Sequence, residues 1–329
     1  MPDDAPPTRR DARRPGDTAV PRPRPLPALV RYDEAWRSVI ERRASRGELV
    51  RVRRGQYTGP ASSDGGVARQ REQRVLALVA ATAATLRTAY CFSHETAALL
   101  HGLWVYRLAE EVHVSQGWKP KVRRGSGSPV HRHPVDLPAK DRTVVPAGLP
   151  VSTLERTMVD CARWLPGERA LVVADSAFRA GADRRVAEAV LAEAAGKPGV
   201  RQARRIVELA DARSESVGET RLRWLLDAAG LEPPDLAVAV DTWRGTVWID
   251  LGWPGLAVGI EFDGTVKYSG GEYGDPRERL LAEKRRHDAL TEAGWTLLHV
   301  TWEDLADPDR LVARIRRALA EAARRQVAR

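Results

Sequence analysis

Two stretches in the last third of the chain alternate between apolar and polar residues. Their apolar positions are Val247, Ile249, Leu251, Val258, Ile260 and Phe262. Because side chains alternate between the two faces of a strand, this period of two predicts a β-hairpin with one apolar face and one polar face. The polar face carries three carboxylates, Asp250, Glu261 and Asp263.

The turn of this hairpin decides how its acids face one another. Pro254 and Gly255 are typical of a two-residue turn. With that turn Asp250 lies opposite Gly259 and diagonal to Glu261 on the same face, whereas a three-residue turn would separate the two acids. Carboxylates this close repel one another, so the face is either solvated or binds a cation. Oxygen ligands on a sheet suit Mg²⁺ or Mn²⁺, which activate water to attack a phosphodiester.

Helical spacing and capping signals predict most of the other elements. Predicted helices span residues 33–44, 67–86, 94–101, 154–164, 167–180, 183–195, 199–212, 216–229 and 276–293, and one more follows residue 302. Short strands are predicted on both sides of Gly55 and over residues 111–115, 130–133, 236–241 and 295–302. From residue 214 onward the order is therefore α-β-β-β-α-β-α. Residues 1–28 contain eight prolines without an apolar face, which predicts a disordered arm.

The charge of the chain favours an anionic partner. Its 329 residues include 53 Lys and Arg against 44 Asp and Glu, a formal charge of +9. Nucleic acid is the first candidate, although arginines that only solvate helix surfaces would give the same sum. Basic residues placed to contact phosphates lie in the first helix and hairpin and in a loop after Trp118. They are Arg42, Arg43, Arg46, Arg51, Arg53, Arg54, Lys119, Lys121, Arg123 and Arg124.

Several other classes of site are not favoured. Cys91 and Cys161 lie far apart and outside any CxxC pair, so we expect both to be reduced and buried. His131 and His133 share one side of a strand but have no cysteine or carboxylate at ligand spacing, so zinc is not expected there. The longest apolar run, residues 75–86, is too short to cross a bilayer, and no signal pattern precedes it. We therefore expect a cytoplasmic protein.

Three phrases in the first part of the chain resemble the abortive-infection type IV antitoxin family. They are Gly47–Tyr57, Ser93–Gly102 and Gly148–Asp160, within a resemblance that covers residues 33–180. The resemblance implies a DNA-binding repressor with an N-terminal winged helix, functionally linked to a neighbouring toxin. The chain departs from the family at its start, where a proline-rich arm replaces the first helix of a helix-turn-helix.

The last part of the chain resembles the very-short-patch-repair-like branch of the PD-(D/E)XK nucleases. The element order and the phrases Gly218–Thr220, Ile249–Leu251, Ile260–Gly264 and Ala282–Arg286 carry this resemblance over residues 214–320. It implies that Asp250 and Glu261 bind Mg²⁺ or Mn²⁺ and that Glu219 is an additional acid. Ser216 and Glu219 also fit a capping box, which gives that acid a structural alternative.

The lysine of the superfamily pattern is replaced in this chain. It belongs two residues after the second acid, where this sequence has Asp263. Lys267 or Lys284 could return a cation to the acids, and Arg285 or His287 could bind phosphate. Both lysines also fit the role of solvated surface charges.

Together these patterns predict a multidomain α+β or α/β protein. Its segments are a disordered arm (1–30), a basic winged-helix-like module (31–60), an antitoxin-like α/β and helical region (61–213) and a restriction-endonuclease-like domain (214–329). The leading hypothesis is a DNA-binding protein whose last domain hydrolyses phosphodiester bonds with Mg²⁺ or Mn²⁺. The alternative is a DNA-binding antitoxin or repressor with an inactive nuclease fold. A basic surface does not by itself distinguish DNA from RNA.

Overall fold

The computed structural model of the chain describes residues 21–63, 66–118, 128–264 and 276–327, the side chains of 276–280 excepted. Its contacts divide the chain into two units, one of Val20–Ala210 and one that includes Asp211–Arg329. Among the described residues, none of the helices has the length and hydropathy to cross a bilayer. Predicted features that lie outside the described residues are 1–20 of the arm, Lys119, Lys121, Arg123, Arg124 and Lys267.

The N-terminal unit combines helices with two small sheets. Its helices are α1 (Arg37–Ser45), α2 (Gly66–Ala83), α3 (His94–His101), α4 (Leu154–Trp164), α5 (Gly167–Arg179), α6 (Arg184–Glu193) and α7 (Val200–Leu209). Its strands are β1 (Val30–Arg31), β2 (Val50–Arg53), β3 (Gln56–Thr58), β4 (Cys91–Phe92), β5 (Val112–Gln116), β6 (Val130–Pro134), β7 (Arg142–Val144) and β8 (Pro150–Ser152). The sheet orders are β1-β3-β2 and β6-β5-β4-β8-β7. Cys91 and Cys161 are buried and free, as the sequence predicts.

Helix α1 and the β2–β3 hairpin form the predicted basic module, but the helix packs less than its pattern predicts. Ile40 is buried, whereas Trp36 and Val39 are 62% and 38% exposed. The neighbouring sheet has strands of only two to four residues, which offer little surface to cover a helix. Within residues 21–63 only one α-helix precedes the hairpin, so no helix-turn-helix is seen there.

The C-terminal unit has the predicted order α-β-β-β-α-β-α. Its elements are α8 (Val217–Ala228), β9 (Asp235–Thr242), β10 (Gly245–Trp253), β11 (Val258–Asp263), α9 (Pro276–Glu292), β12 (Thr296–Thr301) and α10 (Pro308–Val327). The sheet order is β12-β11-β10-β9, with β12 parallel to β11 and the other pairs antiparallel. Helices α8 and α10 pack on one face, while Leu290 of α9 packs on the other. The described residues of the whole chain thus form a multidomain α+β protein with three sheets.

The predicted hairpin exists, but its turn is longer than expected. A 3₁₀ turn, Pro254–Leu256, is followed by Ala257 at φ 50° before β11 begins. Leu251 pairs with Ile260, so the register brings Asp250 level with Glu261 and not with Gly259. On a regular strand, a shift of two residues by itself would keep each acid on its predicted face.

The alternation of side chains along β10 is interrupted at Asp250, so that residues on its two sides have opposite orientations. The sequence pattern did not predict this interruption. Ile249 packs with Leu290 beneath α9, whereas Leu251 packs with Leu222 of α8 on the other side. Residues two apart on a regular strand would share a face. The β9–β10 ladder skips the pair Ala237 and Asp250, and Ala237 has φ 51°. The expectation that Val247, Ile249 and Leu251 share one apolar face is therefore wrong.

Candidate active site

The carboxyl group of Glu219 is held at the start of α8 by the predicted capping box. Ser216 accepts a hydrogen bond from the Glu219 N–H (3.1 Å) and donates its hydroxyl to Oε1 (2.8 Å). The N–H of Glu215 donates to Oε2 (2.8 Å). Each carboxylate oxygen thus accepts a hydrogen bond from the residues at the start of the helix.

Helix α8 approaches the sheet closely enough to bring Glu219 near Asp250. A Cβ added to Gly218 would lie 2.0 Å from Cε1 of Phe262, so only glycine fits between helix and strand. Burial raises the pKa of Glu219 to about 8, and the negative charge of Asp250 adds to the rise. The hydrogen bonds from Glu215 and Ser216 oppose this shift. The Glu219 carboxyl group is therefore mostly protonated at neutral pH.

Asp250 lies where β10 and β11 separate. Its Oδ2 accepts a hydrogen bond from the backbone N–H of Phe262 (2.8 Å). The regular ladder between these strands covers only residues 251–253 and 258–260, so the side chain replaces the next backbone bond. Asp250 as a whole is half-buried.

Glu261 forms a buried ion pair with an arginine that the sequence did not single out. Arg286 of α9 reaches Oε1 of Glu261 through Nη1, and both side chains are 2% exposed. Nη2 of Arg286 also donates to the carbonyl oxygen of Trp248 (2.6 Å). The second carboxylate oxygen of Glu261 lies 3.8 Å from Nδ1 of His299.

Lys284, the predicted replacement for the missing lysine that the structure describes, does not occupy this position. Lys284 is exposed on α9. It lies two residues before Arg286, and side chains two apart on a helix point in different directions. The cation beside Glu261 is Arg286, which shares the buried stripe of α9 with Ala289 and Leu290. Arg286 precedes Ala289 by three residues and Leu290 by four, and this helical spacing was the sequence signal that Arg286 belongs to the buried face.

The other predicted residues of this unit lie at the edge of the acid cluster or in solvent. Asp263, which takes the place of the lysine, is exposed at the end of β11, and Arg285 is half-buried. His287 is exposed, with Nδ1 3.5 Å from Nε2 of His299. His299 is a second site residue that sequence reasoning missed, because the pattern of its strand indicates only a buried element.

The acids are not arranged as a preformed three-ligand site. Within the described residues, the group of three potential ligands whose atoms lie within 4.8 Å of one another is His94, His113 and His133. The sequence pattern does not bring these three histidines together. These residues come from α3, β5 and β6, so their meeting depends on the tertiary fold.

Most of the predicted phosphate-binding arginines that the structure describes are available to solvent. Arg42, Arg46, Arg51 and Arg54 are exposed, as is Arg43, which lies 3.3 Å from the carboxylate of Glu48.

Arg53 differs from the other predicted arginines. Its Nη1 donates to Oγ1 of Thr82 in α2 (3.1 Å), and burial lowers its pKa. It is therefore directed toward the interior of its own unit.

Comparison with known proteins gives relatives without a stated activity. No protein-family model matches the chain. It is 34% identical over 166 residues to two curated proteins of Mycobacterium tuberculosis, uncharacterized protein MT2308 of strain CDC 1551 / Oshkosh and uncharacterized protein Rv2248 of strain ATCC 25618 / H37Rv. The match takes in 50% of this chain and 59% of each relative's length.

A solved structure adds little to this. The crystal structure of the RV2827C protein from Mycobacterium tuberculosis has 15% sequence identity and a TM-score of 0.36, with 66% of this chain and 85% of that chain covered. A TM-score this low does not establish a common fold.

Proposed function

We propose that the C-terminal unit binds Mg²⁺ or Mn²⁺ at Asp250 and Glu261 and hydrolyses phosphodiester bonds of DNA. The observation that carries this proposal is the state of Glu219. Its carboxyl group is buried, receives two hydrogen bonds that favour the charged form, and still has its pKa raised to about 8 beside Asp250. A divalent cation here would favour the charged form of both acids, so the crowding of Glu219 against Asp250 supports a cation site.

The donor set fits that cation. Mg²⁺ takes one or two carboxylates and keeps several waters, so it does not require a closed three-acid cage. Asp250 is half-buried, and Oε2 of Glu261 lies 3.8 Å from Nδ1 of His299. When bound, the ion supplies an activated water and neutralises charge on the phosphate.

The remaining groups of the cluster have roles that follow from their contacts. Arg286 is anchored on Trp248 and fixes the orientation of Glu261. It also brings a permanent positive charge next to Glu261. His299 lies between Glu261 and His287, at the solvent edge of the cluster, where it can bind a phosphate oxygen or accept a proton.

The acid pair provides the first prediction. With Mg²⁺ or Mn²⁺ the purified protein should cleave DNA, and Asp250→Asn or Glu261→Gln should abolish cleavage, because each removes an anionic ligand. Asp235→Asn, an exposed acid at the start of β9, is the matched control and should keep full activity. Cleavage measured on supercoiled and linear DNA, with ion binding by calorimetry, tests both claims. Equal cleavage by the wild type and both acid variants would assign the activity to a contaminant.

A second candidate function is DNA binding without catalysis, as in a repressor or antitoxin linked to a neighbouring toxin. The Glu261–Arg286 ion pair favours it, since a buried pair already satisfies one of the two acids. Under this alternative the protein binds DNA equally well in EDTA and no divalent ion produces cleavage. Either function places the protein with DNA in the cytoplasm.

A further inference from the structure

A separate cluster of histidines lies inside the N-terminal unit, independent of the acids. His94 begins α3, His113 belongs to β5 and His133 to β6. They are 7%, 1% and 9% exposed. Histidines are seldom buried together without a reason, because three imidazoles must all find polar partners away from water.

The ring nitrogens of these histidines converge. Nδ1 of His113 lies 3.0 Å from Nε2 of His133. The rings of His94 and His133 stack with centroids 3.7 Å apart. One ring nitrogen from each residue lies within 4.8 Å of the others. Tetrahedral zinc with bonds of 2.0–2.1 Å places its nitrogen ligands about 3.3 Å apart, so the His113–His133 distance suits coordination. The His94 ring, which is stacked on His133, must rotate to direct a nitrogen at the same ion.

We propose that His94, His113 and His133 form a binding site for a late first-row transition metal ion, with Zn²⁺ as its principal occupant. Three imidazole nitrogens and no carboxylate are a donor set that Zn²⁺ accepts and that Mg²⁺ and Ca²⁺ avoid. A site of three histidines also leaves a fourth position for water or another ligand.

The groups around the cluster select which nitrogens face the ion. Nδ1 of His94 lies 3.0 Å from the Ser93 hydroxyl, which in turn accepts a hydrogen bond from Ser115 (2.9 Å). Ser93 occupies the N-cap position of α3 yet makes no side-chain cap bond to that helix. Its hydroxyl contacts Nδ1 of His94 instead. If Nδ1 of His94 is the protonated nitrogen, Nε2 is left with a lone pair for the ion.

Glu111 completes the surroundings of His113. Nε2 of His113 is buried without a hydrogen-bond partner among the described residues, and Oε1 of Glu111 lies 3.3 Å from it. A carboxylate behind a metal-bound histidine is the usual outer contact of zinc sites, where it orients the ring. With Nε2 turned toward Glu111, Nδ1 of His113 faces His133 and the ion.

Positive charges lie near the cluster. Burial lowers the pKa of His113 to about 3 and that of His94 well below its usual value, and the charges of Arg169 and Arg156, respectively, add to these shifts. The nearby arginines are already paired, Arg156 with Asp160 (2.8 Å) and Arg169 with Glu95 (2.6 Å).

The backbone at His94 is consistent with a built site. Its φ of 53° lies in the left-handed region, which a non-glycine residue occupies at some cost. With this conformation His94 is the first residue of α3, so the helix begins at the histidine cluster. Strain of this kind persists where the surrounding structure holds a side chain in place.

The open side of the cluster is covered by two further side chains. Trp164, which is 49% exposed, packs edge-on against His131 and His133 with centroids 4.9 and 5.2 Å apart. His131 lies 4.6 Å from His133 between ring centroids and is only half-buried. We assign the fourth position to His131 or to a water beneath Trp164.

Zinc binding by the full-length, tag-free protein tests the site. After EDTA treatment and dialysis, calorimetry and metal analysis should find about one Zn²⁺ per chain. His113→Gln and His133→Asn should each lose this equivalent, and Glu111→Gln should weaken binding about 10–100-fold. His101→Gln alters the last residue of α3, a histidine that bonds the carbonyl of Ser152, and should keep the ion.

Two controls separate this site from the C-terminal unit. His299→Asn and the double variant Asp250→Asn/Glu261→Gln should retain zinc in full, so failure of the proposed nuclease would not affect the result. X-ray absorption on the wild-type zinc protein should give at least three imidazole ligands, which requires no variant to fold. Absence of a stoichiometric ion, or coordination without imidazole, would overturn the proposal.

Discussion

Glu219 carries the clearest electrostatic signature among the described residues of the C-terminal unit. Its carboxyl group is buried against Asp250, and its pKa rises from 4.5 to about 8. An acid whose folded-state pKa is raised binds a proton that the unfolded state releases. The free energy of unfolding therefore falls as pH rises from about 4.5 to about 8, because the folded state holds the extra proton throughout that window.

Glu219→Gln should remove this dependence of the unfolding free energy on pH. The wild type should lose stability relative to the variant between pH 5 and pH 8, by on the order of a few kcal/mol. Urea unfolding at a series of pH values measures the difference. Mg²⁺ should reduce it for the wild type, since a cation favours the ionised carboxylate. A difference that is constant with pH would contradict the raised pKa.

At the scale of elements, the packing of α8 on β11 brings Glu219 close to Asp250. Gly218 lets the helix approach Phe262, and Ser216 fixes where the helix begins. Gly259 likewise allows close packing on β11, because a Cβ at this position would lie 2.8 Å from Cγ2 of Ile249. Close packing of backbone on side chain thus sets the geometry of the candidate site.

Gly218→Ala tests this packing. The added methyl group meets the Phe262 ring at 2.0 Å, so the variant should lose about 1–3 kcal/mol of stability despite the better helix propensity of alanine. Because α8 must shift, the pKa of Glu219 should also move toward its ordinary value. Gly255→Ala is the control, with nothing within 4 Å of the added Cβ, and should leave stability nearly unchanged. Thermal unfolding and NMR titration of the carboxyl groups measure the two effects.

At the scale of the whole molecule, the basic module of α1 and the β2–β3 hairpin and the candidate acid site belong to different units. The exposed arginines of α1 and the β2–β3 hairpin lie in the N-terminal unit, and the acid cluster lies in the C-terminal unit. Under the proposed function, DNA binding and catalysis should therefore respond to different substitutions. Such a separation lets each function be measured without the other.

Arg51→Ala combined with Arg54→Ala should weaken DNA binding and its salt dependence. For every phosphate that an arginine no longer neutralises, the slope of log Kobs against log salt concentration should become shallower by about 0.9. Arg201→Ala with Arg204→Ala removes the same charge from exposed positions on α7 and should change the slope little. Fluorescence anisotropy with labelled duplexes over a range of salt concentrations gives these slopes. Equal changes in both double variants would mean that net charge alone governs binding.

Local patterns in the sequence determined much of this structure. The period of two placed the strands of the C-terminal sheet, and the boundaries of α3 and α4 match the predicted ones, because caps and periodicity act within a few residues. The capping box of Ser216 and Glu219 was likewise visible from four adjacent residues. These features depend on neighbours in the chain.

Interactions between distant segments decided the rest. The change of face at Asp250 occurs opposite Ala237, where the β9–β10 ladder is interrupted, and the partner of Glu261 comes from α9. The histidine cluster joins α3, β5 and β6, whose spacings in sequence match no metal motif. These features depend on contacts between residues that are far apart in the sequence. They are therefore decided by the tertiary structure, through burial, side-chain pairing and the close approach of elements.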